Sequence, residues 1–458
     1  MFKKQSIIYS LLFFVLPITF TNHLISENDF CVLNNILKSN YQISKQYPKK
    51  PWTIMVYIAA DNDLSIFAWQ NIKQMAQSAN QNAHIIVQLN EPGPNKKTQR
   101  YLIDKNKAYL LNKENQAKMD SGDPKTVIDF CTWTRYMFPA DHYMAVFSNH
   151  GSGIIDYGRG IVRLINTAEY FTLNPTTLML ELDRSVEFLE NLKEEEKEEE
   201  EDRGVCYDET HQSYLTNQKL EQALKSICTN NFKFSILGFD ACLMQMAEIA
   251  NLAKPYADIL IGSQEVELGP GWEYSKILKP LESKILNPVD FAKHIVHSYS
   301  DNYINITNEF TLSAIDLKGM NPLEANINEV AQILIECLVN QAGNSAKNVI
   351  NISKNNIGFE EPSYIDLTSF YQNLKNNISR ISLKDKNNEL KNRLNNALAN
   401  GLNILKSIII ENAHGSKIEY AKGVSIYLPE KKIHQSYGKT NFAKSNHWLN
   451  LISNYIGL

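Results

Sequence analysis

Short apolar runs without polar alternation constrain the fold of this chain more than any other feature. Thr53–Ile58, Ile85–Leu89, Met144–Phe147 and Phe234–Phe239 each have the length of a strand, and none alternates strictly between apolar and polar residues. Such runs suit strands buried on both faces, as in a parallel sheet covered by helices. A further short run, Tyr109–Leu111, reads as another strand, and helical spacing appears near Phe67–Ser78 and Thr126–Tyr136. Strand and helix in alternation predict an α/β fold. At 458 residues with 43% hydrophobic content, the chain can bury a substantial core.

Two of these strands end in chemistry. Met144–Phe147 leads into Ser148-Asn149-His150-Gly151-Ser152-Gly153, and Phe234–Phe239 leads into Asp240-Ala241-Cys242-Leu243-Met244. In open α/β sheets, reactive groups collect at the carboxyl ends of the strands. Leu243, Met246, Ala247, Ile249, Ala250 and Ala253 then follow at helical spacing up to Pro255. This places Cys242 in the first turn of a helix, where the helix terminus and a nearby imidazolium would lower the thiol's pKa. His150 could act as base toward the thiol and as acid toward a leaving amine. The amides of Gly151 and Cys242 are candidate donors to an oxyanion. Each residue alone has a plainer reading: Cys242 as a small buried hydrophobe, Asn149-His150-Gly151 as a polar turn, Asp240 as a helix N-cap. The conjunction favours a nucleophile with its base, and histidine preceding cysteine is the caspase-type order.

Beyond these patches, the sequence resembles the clostripain family of cysteine peptidases, relatives of caspases, gingipains and legumain. The resemblance covers roughly residues 50 to 320. It runs through Trp52–Leu64, Gly122-Asp123, Phe130, Trp133, Pro139–Tyr143, Tyr207-Asp208-Glu209, Leu215-Thr216, Leu220, Ile261–Glu265 and Gly269–Trp272, with a late echo at Gly423–Pro429. It implies a caspase-like α/β/α sandwich with a mostly parallel central sheet and a helical C-terminal region. It also implies an endopeptidase in which His150 and Cys242 form a dyad and Asp240 lies at the base of the S1 pocket, selecting arginine or lysine before the cut bond. A carboxylate can hold a guanidinium through two parallel hydrogen bonds, which a lysine ammonium reproduces less well. A carboxylate near Cys242 would oppose thiol ionisation unless Asp240 points away into a pocket. No third, orienting residue is legible. A catalytically silent peptide-binding relative and a transpeptidase using the same dyad are the alternatives.

The rest of the chain fits an exported enzyme. Lys3-Lys4 and the apolar stretch Ile7–Phe20 read as a signal peptide over 1–22, too short for a membrane span, with an uncleaved anchor as the alternative. A polar arm or pro-segment follows over 23–50, then a peptidase domain over 51–319 and a C-terminal region over 320–458. No stable membrane span is expected after signal removal. A net charge of −4 gives no electrostatic reason to expect nucleic acid. The six cysteines show no CxxC spacing, so neither a zinc site nor a redox pair is suggested.

The acidic insertion over 190–204 cannot form a core. It is either a plain surface insertion or a linker that the enzyme cuts itself, as the resemblance implies. Arg203 is the leading processing site, with Lys193, Lys197, Arg159 and Arg163 as alternatives. Asp61-Asn62-Asp63 fails the EF-hand pattern and reads as a turn with a helix cap. The dyad chemistry needs no cofactor, and no metal site is assigned; the resemblance leaves calcium dependence open without a legible ligand cluster. Past residue 320, helices are expected at Ile327–Leu338 and Leu390–Ile408, and Tyr420–Leu428 as a strand that rejoins the sheet.

Overall fold

The computed structural model describes residues 37–38, 46–111, 117–156, 171–183, 204–339, 343–382 and 388–457. The expected signal segment, most of the polar arm and the acidic run through Arg203 lie outside the described residues, as do Lys193, Lys197, Arg159 and Arg163.

The strands in chain order begin with β1 (Leu37–Lys38), β2 (Lys50–Ala59), β3 (Ala83–Asn90), β4 (Gln99–Asp104), β5 (Lys107–Leu110) and β6 (Ala140–Ser148). Two small hairpins follow, β7 (Phe171–Leu173) with β8 (Leu180–Leu182) and β9 (Val205–Asp208) with β10 (Ser213–Leu215). The remaining strands are β11 (Phe234–Asp240), β12 (Ala257–Gly262), β13 (Thr311–Asp316), β14 (Tyr364–Asp366), β15 (Ile409–His414) and β16 (Ser425–Tyr427). Ten of them form one sheet in the order β1-β5-β4-β3-β2-β6-β11-β12-β13-β15.

The centre of that sheet, β3-β2-β6-β11-β12, is parallel throughout. Every residue of β3 and β11 is buried, as runs without alternation require. The chain leaves β2 through helix Ser65–Gln77 to reach β3, then returns past β2 through helix Pro124–Met137 to reach β6. Because parallel crossovers are right-handed, these opposite directions put the two helices on opposite faces of the sheet. Helices Tyr274–Leu278 and Pro288–Tyr303 continue the first layer, and Asn217–Ile227 and Ala247–Ala253 continue the second. This gives the expected α/β/α arrangement with a mostly parallel sheet.

Differences from expectation fall at the sheet's flanks. Gln99–Asp104 was not anticipated as a strand, and it joins β3 and β5 antiparallel. In the C-terminal region the helices Met320–Val339 and Glu389–Ile408 lie where helical spacing predicts them. The expectation that Tyr420–Leu428 rejoins the sheet is wrong. The strand that does so is β15, antiparallel to β13, whereas β16 pairs with β14 in a separate two-stranded sheet. β15 opens with Ile409-Ile410 but continues through Glu411 and Asn412 and is only half-buried, as an edge strand can be, so it lacks the longer apolar run that marks the central strands.

Candidate functional site

The ends of β6 and β11 are tied together, so the two reactive loops leave the sheet side by side. Ser148 and Asp240 are register partners, and the Asn149 amide donates to the Asp240 carbonyl at 3.2 Å. Two residues beyond each lie His150 and Cys242. Both line one pocket, together with Asp240, Glu267, Leu64 and Gly271.

The two glycines beside His150 have separate structural reasons. A Cβ on Gly151 would lie 2.4 Å from the Cys242 carbonyl oxygen, so only glycine lets the two loops touch. Gly153 has φ +67°, and a side chain there would meet Tyr364 and Met246. The intervening Ser152 hydroxyl donates to the carbonyls of Ile155 and Gly204 at 3.0 and 3.2 Å. The Gly151 amide has no acceptor among the described residues and remains available to a bound oxyanion.

The surroundings of Cys242 correct the sequence reading. The helix begins at Ala247, not at Ala241, and its N-cap position is Met246 rather than Asp240. Cys242 sits instead in an irregular turn in which Leu243 has φ +63°, an uncommon backbone for a leucine. Leu243 and Gln245 donate their amides to the carbonyls of Glu265 and Ser263, which fastens this turn to the loop after β12. Leu243 and Met246 therefore share helical spacing with the true helix only because both are buried in the turn. No helix N-terminus assists the thiol. Burial pushes the Cys242 thiol up to about 12, with the Glu267 and Glu265 carboxylates adding to the shift. The Glu267 amide works the other way, donating to Sγ at 3.3 Å. At neutral pH the Cys242 side chain is therefore the neutral thiol, and it could act as a nucleophile only if a base removed its proton.

Asp240 turns away from Cys242 toward the loop after β12. Its Oδ1 accepts from the Trp272 amide at 3.0 Å and its Oδ2 from the Tyr274 hydroxyl at 2.8 Å. Gly271, with φ +66°, passes so close that a Cβ would lie 2.3 Å from Oδ1. Burial raises Asp240 from its ordinary 3.8 to about 6, against the lowering effect of these two donors. Glu267, which the sequence reading did not single out, is a second buried acid in the same pocket. Burial, and then the neighbouring Asp240 carboxyl, push Glu267 well above the usual carboxylate range. None of the described residues lining the pocket is lysine or arginine. Two buried acids without an internal cation make a cavity suited to a cationic side chain.

The Asp61-Asn62-Asp63 loop also departs from expectation. It is a turn, with Asn62 Oδ1 accepting from the Leu64 amide at 3.0 Å, but the N-cap position of helix Ser65–Gln77 is Leu64 and carries no side-chain cap. Asp63 instead reaches His150, with its Oδ1 2.6 Å from Nε2. No local pattern marks this contact, which spans the gap between the ends of β2 and β6.

Asp61, Asp208 and His211 bring ligand-type atoms within 4.8 Å of one another, a grouping the sequence did not reveal. Lys118 already occupies it, with Nζ 2.5 Å from Asp61 Oδ2 and 2.9 Å from Thr210 Oγ1. A buried ammonium in that position does the work a cation would do, and the cluster does not fit a metal ion.

A thiol and an imidazole just past the ends of neighbouring parallel strands line one pocket with two buried acids, the arrangement that a nucleophile and its base would need. The family model described as the clostripain family matches residues 56–178 and 191–454. The chain belongs to the clostripain family of cysteine peptidases. It is 23% identical over 282 residues to clostripain of Hathewaya histolytica, a match covering 55% of this chain and 46% of that protein. The match thus spans about half the length of that relative. A secreted C11 cysteine protease from Bacteroides thetaiotaomicron, solved with an irreversible peptide inhibitor, superposes with a TM-score of 0.57 at 19% identity, covering 89% of this chain and 99% of that one. An inactive zymogen C11 protease from Parabacteroides distasonis gives 0.54 at 17% identity, with the same coverage. At these identities the two structures establish the shared fold.

Proposed function

We propose that this protein is an exported cysteine endopeptidase that cuts peptide bonds after arginine or lysine. The observation that carries the reading is the single pocket lined by His150, Cys242 and the buried acids Asp240 and Glu267. His150 takes the Cys242 proton as sulfur attacks the scissile carbonyl, and returns it to the leaving amine. The acyl group stays on sulfur as a thioester until water releases it. The amides of Gly151 and Cys242 receive the oxyanion, and Asp240 pairs with the basic side chain before the cut bond. Fluorogenic peptides ending in arginine, lysine or aspartate test this directly. Hydrolysis of the arginyl and lysyl peptides is expected; preference for the aspartyl peptide would remove the role of Asp240.

The acidity of Asp240 gives this specificity a pH signature. The carboxyl must be ionised to hold a guanidinium, and in the free enzyme it protonates as pH falls through about 6. The KM for an arginyl peptide is therefore expected to rise below pH 6, by about tenfold per pH unit. Because the folded value lies above 3.8, the ionised group also lowers fold stability as pH rises from about 4 through 6. A KM that stays flat from pH 7 to pH 5 would contradict the assignment.

We also propose self-processing after Arg203. The Gly204 carbonyl accepts from Ser152, and the Tyr207 amide donates to Asn149 Oδ1 at 2.8 Å, so the chain from Gly204 onward supports the histidine loop. Cleavage before Gly204 would leave that support in place. Edman sequencing of mature enzyme is expected to find a second N-terminus at Gly204, absent from Arg203→Ala. Full activity in an intact chain would sink the proposal. Export rests on the N-terminal sequence and on the relative described as secreted; among the described residues, no helix is long and apolar enough to cross a membrane.

A further inference from the structure

A thiol pushed up to about 12 needs a base whose accepting nitrogen is fixed in advance. A free imidazole can carry its proton on either nitrogen, and the hydrogen bond at one nitrogen decides which remains to accept. The Asp63 contact meets that need. A carboxylate only accepts, so at 2.6 Å the Nε2 of His150 is the protonated nitrogen. Nδ1 has no hydrogen bond among the described residues and is left as the base. We infer that Asp63 is the positioning residue of the dyad, setting the tautomer of His150 and the angle of its ring toward Cys242. This rests on the His150–Cys242 reading above.

The loop presenting Asp63 is built to hold it still. Asn62 Nδ2 donates to the carbonyls of Ala59 and Tyr207 at 3.1 and 2.9 Å, and the Ser65 amide donates to the Asn62 carbonyl at 3.1 Å. The Glu209 amide donates to the Asp61 carbonyl at 2.8 Å. Ala59 ends β2, the sheet neighbour of β6, so Asp63 and His150 leave adjacent strands. Asp63 and His150 are 20% and 17% exposed, sheltered enough for their hydrogen bond to outlast competition from water. Other ionisable groups around the imidazole are Cys242, Asp240 and Glu267, which line the same pocket.

The test uses the full chain with Asp63→Asn and Asp63→Ala, and has a readout independent of hydrolysis. With ¹⁵N-labelled histidine, and His150 assigned by its loss in His150→Gln, the parent is expected to show neutral His150 protonated at Nε2. In Asp63→Ala that tautomer should give way to a mixture. On an arginyl peptide, kcat is expected to fall about 10²- to 10⁴-fold in both variants, with KM within about twofold and the melting temperature little changed. An unchanged tautomer in Asp63→Ala, or kcat within about threefold of the parent, would overturn the inference. Cys242→Ala separates the two readings. If it retains activity, the dyad is wrong; if it is inactive while the Asp63 variants match the parent, only the role of Asp63 falls.

Discussion

Cys242→Ala is expected to abolish peptide hydrolysis, with a fall in kcat of at least about 10⁴-fold and an unchanged fold. The size of the effect follows from covalent catalysis: without sulfur no acyl-enzyme forms, and the imidazole and oxyanion donors have nothing to activate. The small structural effect follows from the site. Cys242 is 5% exposed, and its turn is held mainly by main-chain bonds from Leu243 and Gln245 rather than by the thiol. Truncation to alanine removes one buried sulfur, worth about 1 to 2 kcal/mol at most, which leaves a cooperative thermal transition. Cys206→Ala is the matched control. Cys206 is fully buried on β9 and outside the pocket, so its variant should keep parental activity if it folds. Retained activity in a folded Cys242→Ala enzyme would rule out this nucleophile.

Replacing Asp240 should remove selectivity rather than reactivity. A site built around a buried charge rejects ligands that leave that charge unpaired, and loses the cognate ligand when the charge is deleted. For Asp240→Asn, kcat/KM on an arginyl peptide is expected to fall about 10³- to 10⁵-fold. Alkylation of Cys242 by iodoacetamide, which needs no S1 contact, should stay within a fewfold of the parent. Asparagine is preferable to alanine here. Alanine would strip the acceptors from the Trp272 amide and the Tyr274 hydroxyl, each left unpaired at about 1 to 3 kcal/mol. Residual selectivity for basic peptides in Asp240→Asn would point to Glu267, and Asp240→Asn with Glu267→Gln should then erase it. Unchanged arginyl hydrolysis in the double variant would contradict an acidic S1 pocket.

The central sheet was legible because buried parallel strands leave a local signature, a short apolar run bounded by breakers. The positions of His150, Cys242 and Asp240 at strand ends followed from that. The geometry around them was less accessible. The turn at Cys242 imitates a helix, since Leu243 and Met246 are buried at intervals that a helix would also produce. The expected help from a helix terminus disappears, and burial sets the thiol's acidity instead. Asp63 and Glu267 carry no local signal. Asp63 meets His150 only because β2 and β6 are neighbours in space. Glu267 meets Asp240 only because the loop after β12 folds back over the end of β11. Lys118, which fills the Asp61–Asp208–His211 cluster, arrives from a third loop. Contacts of this kind depend on topology, and topology appears once the strands are ordered.

The central claim is that one pocket joins a cysteine nucleophile to a specificity site for a basic side chain. Incubation of the parent with a peptidyl-arginyl chloromethyl ketone, followed by peptide-mapping mass spectrometry, tests both halves together. The predicted result is a single adduct on Cys242, formed far more slowly in Asp240→Asn and not formed by the corresponding aspartyl ketone. Labelling of a different cysteine, or equal labelling by the arginyl and aspartyl ketones, would contradict it.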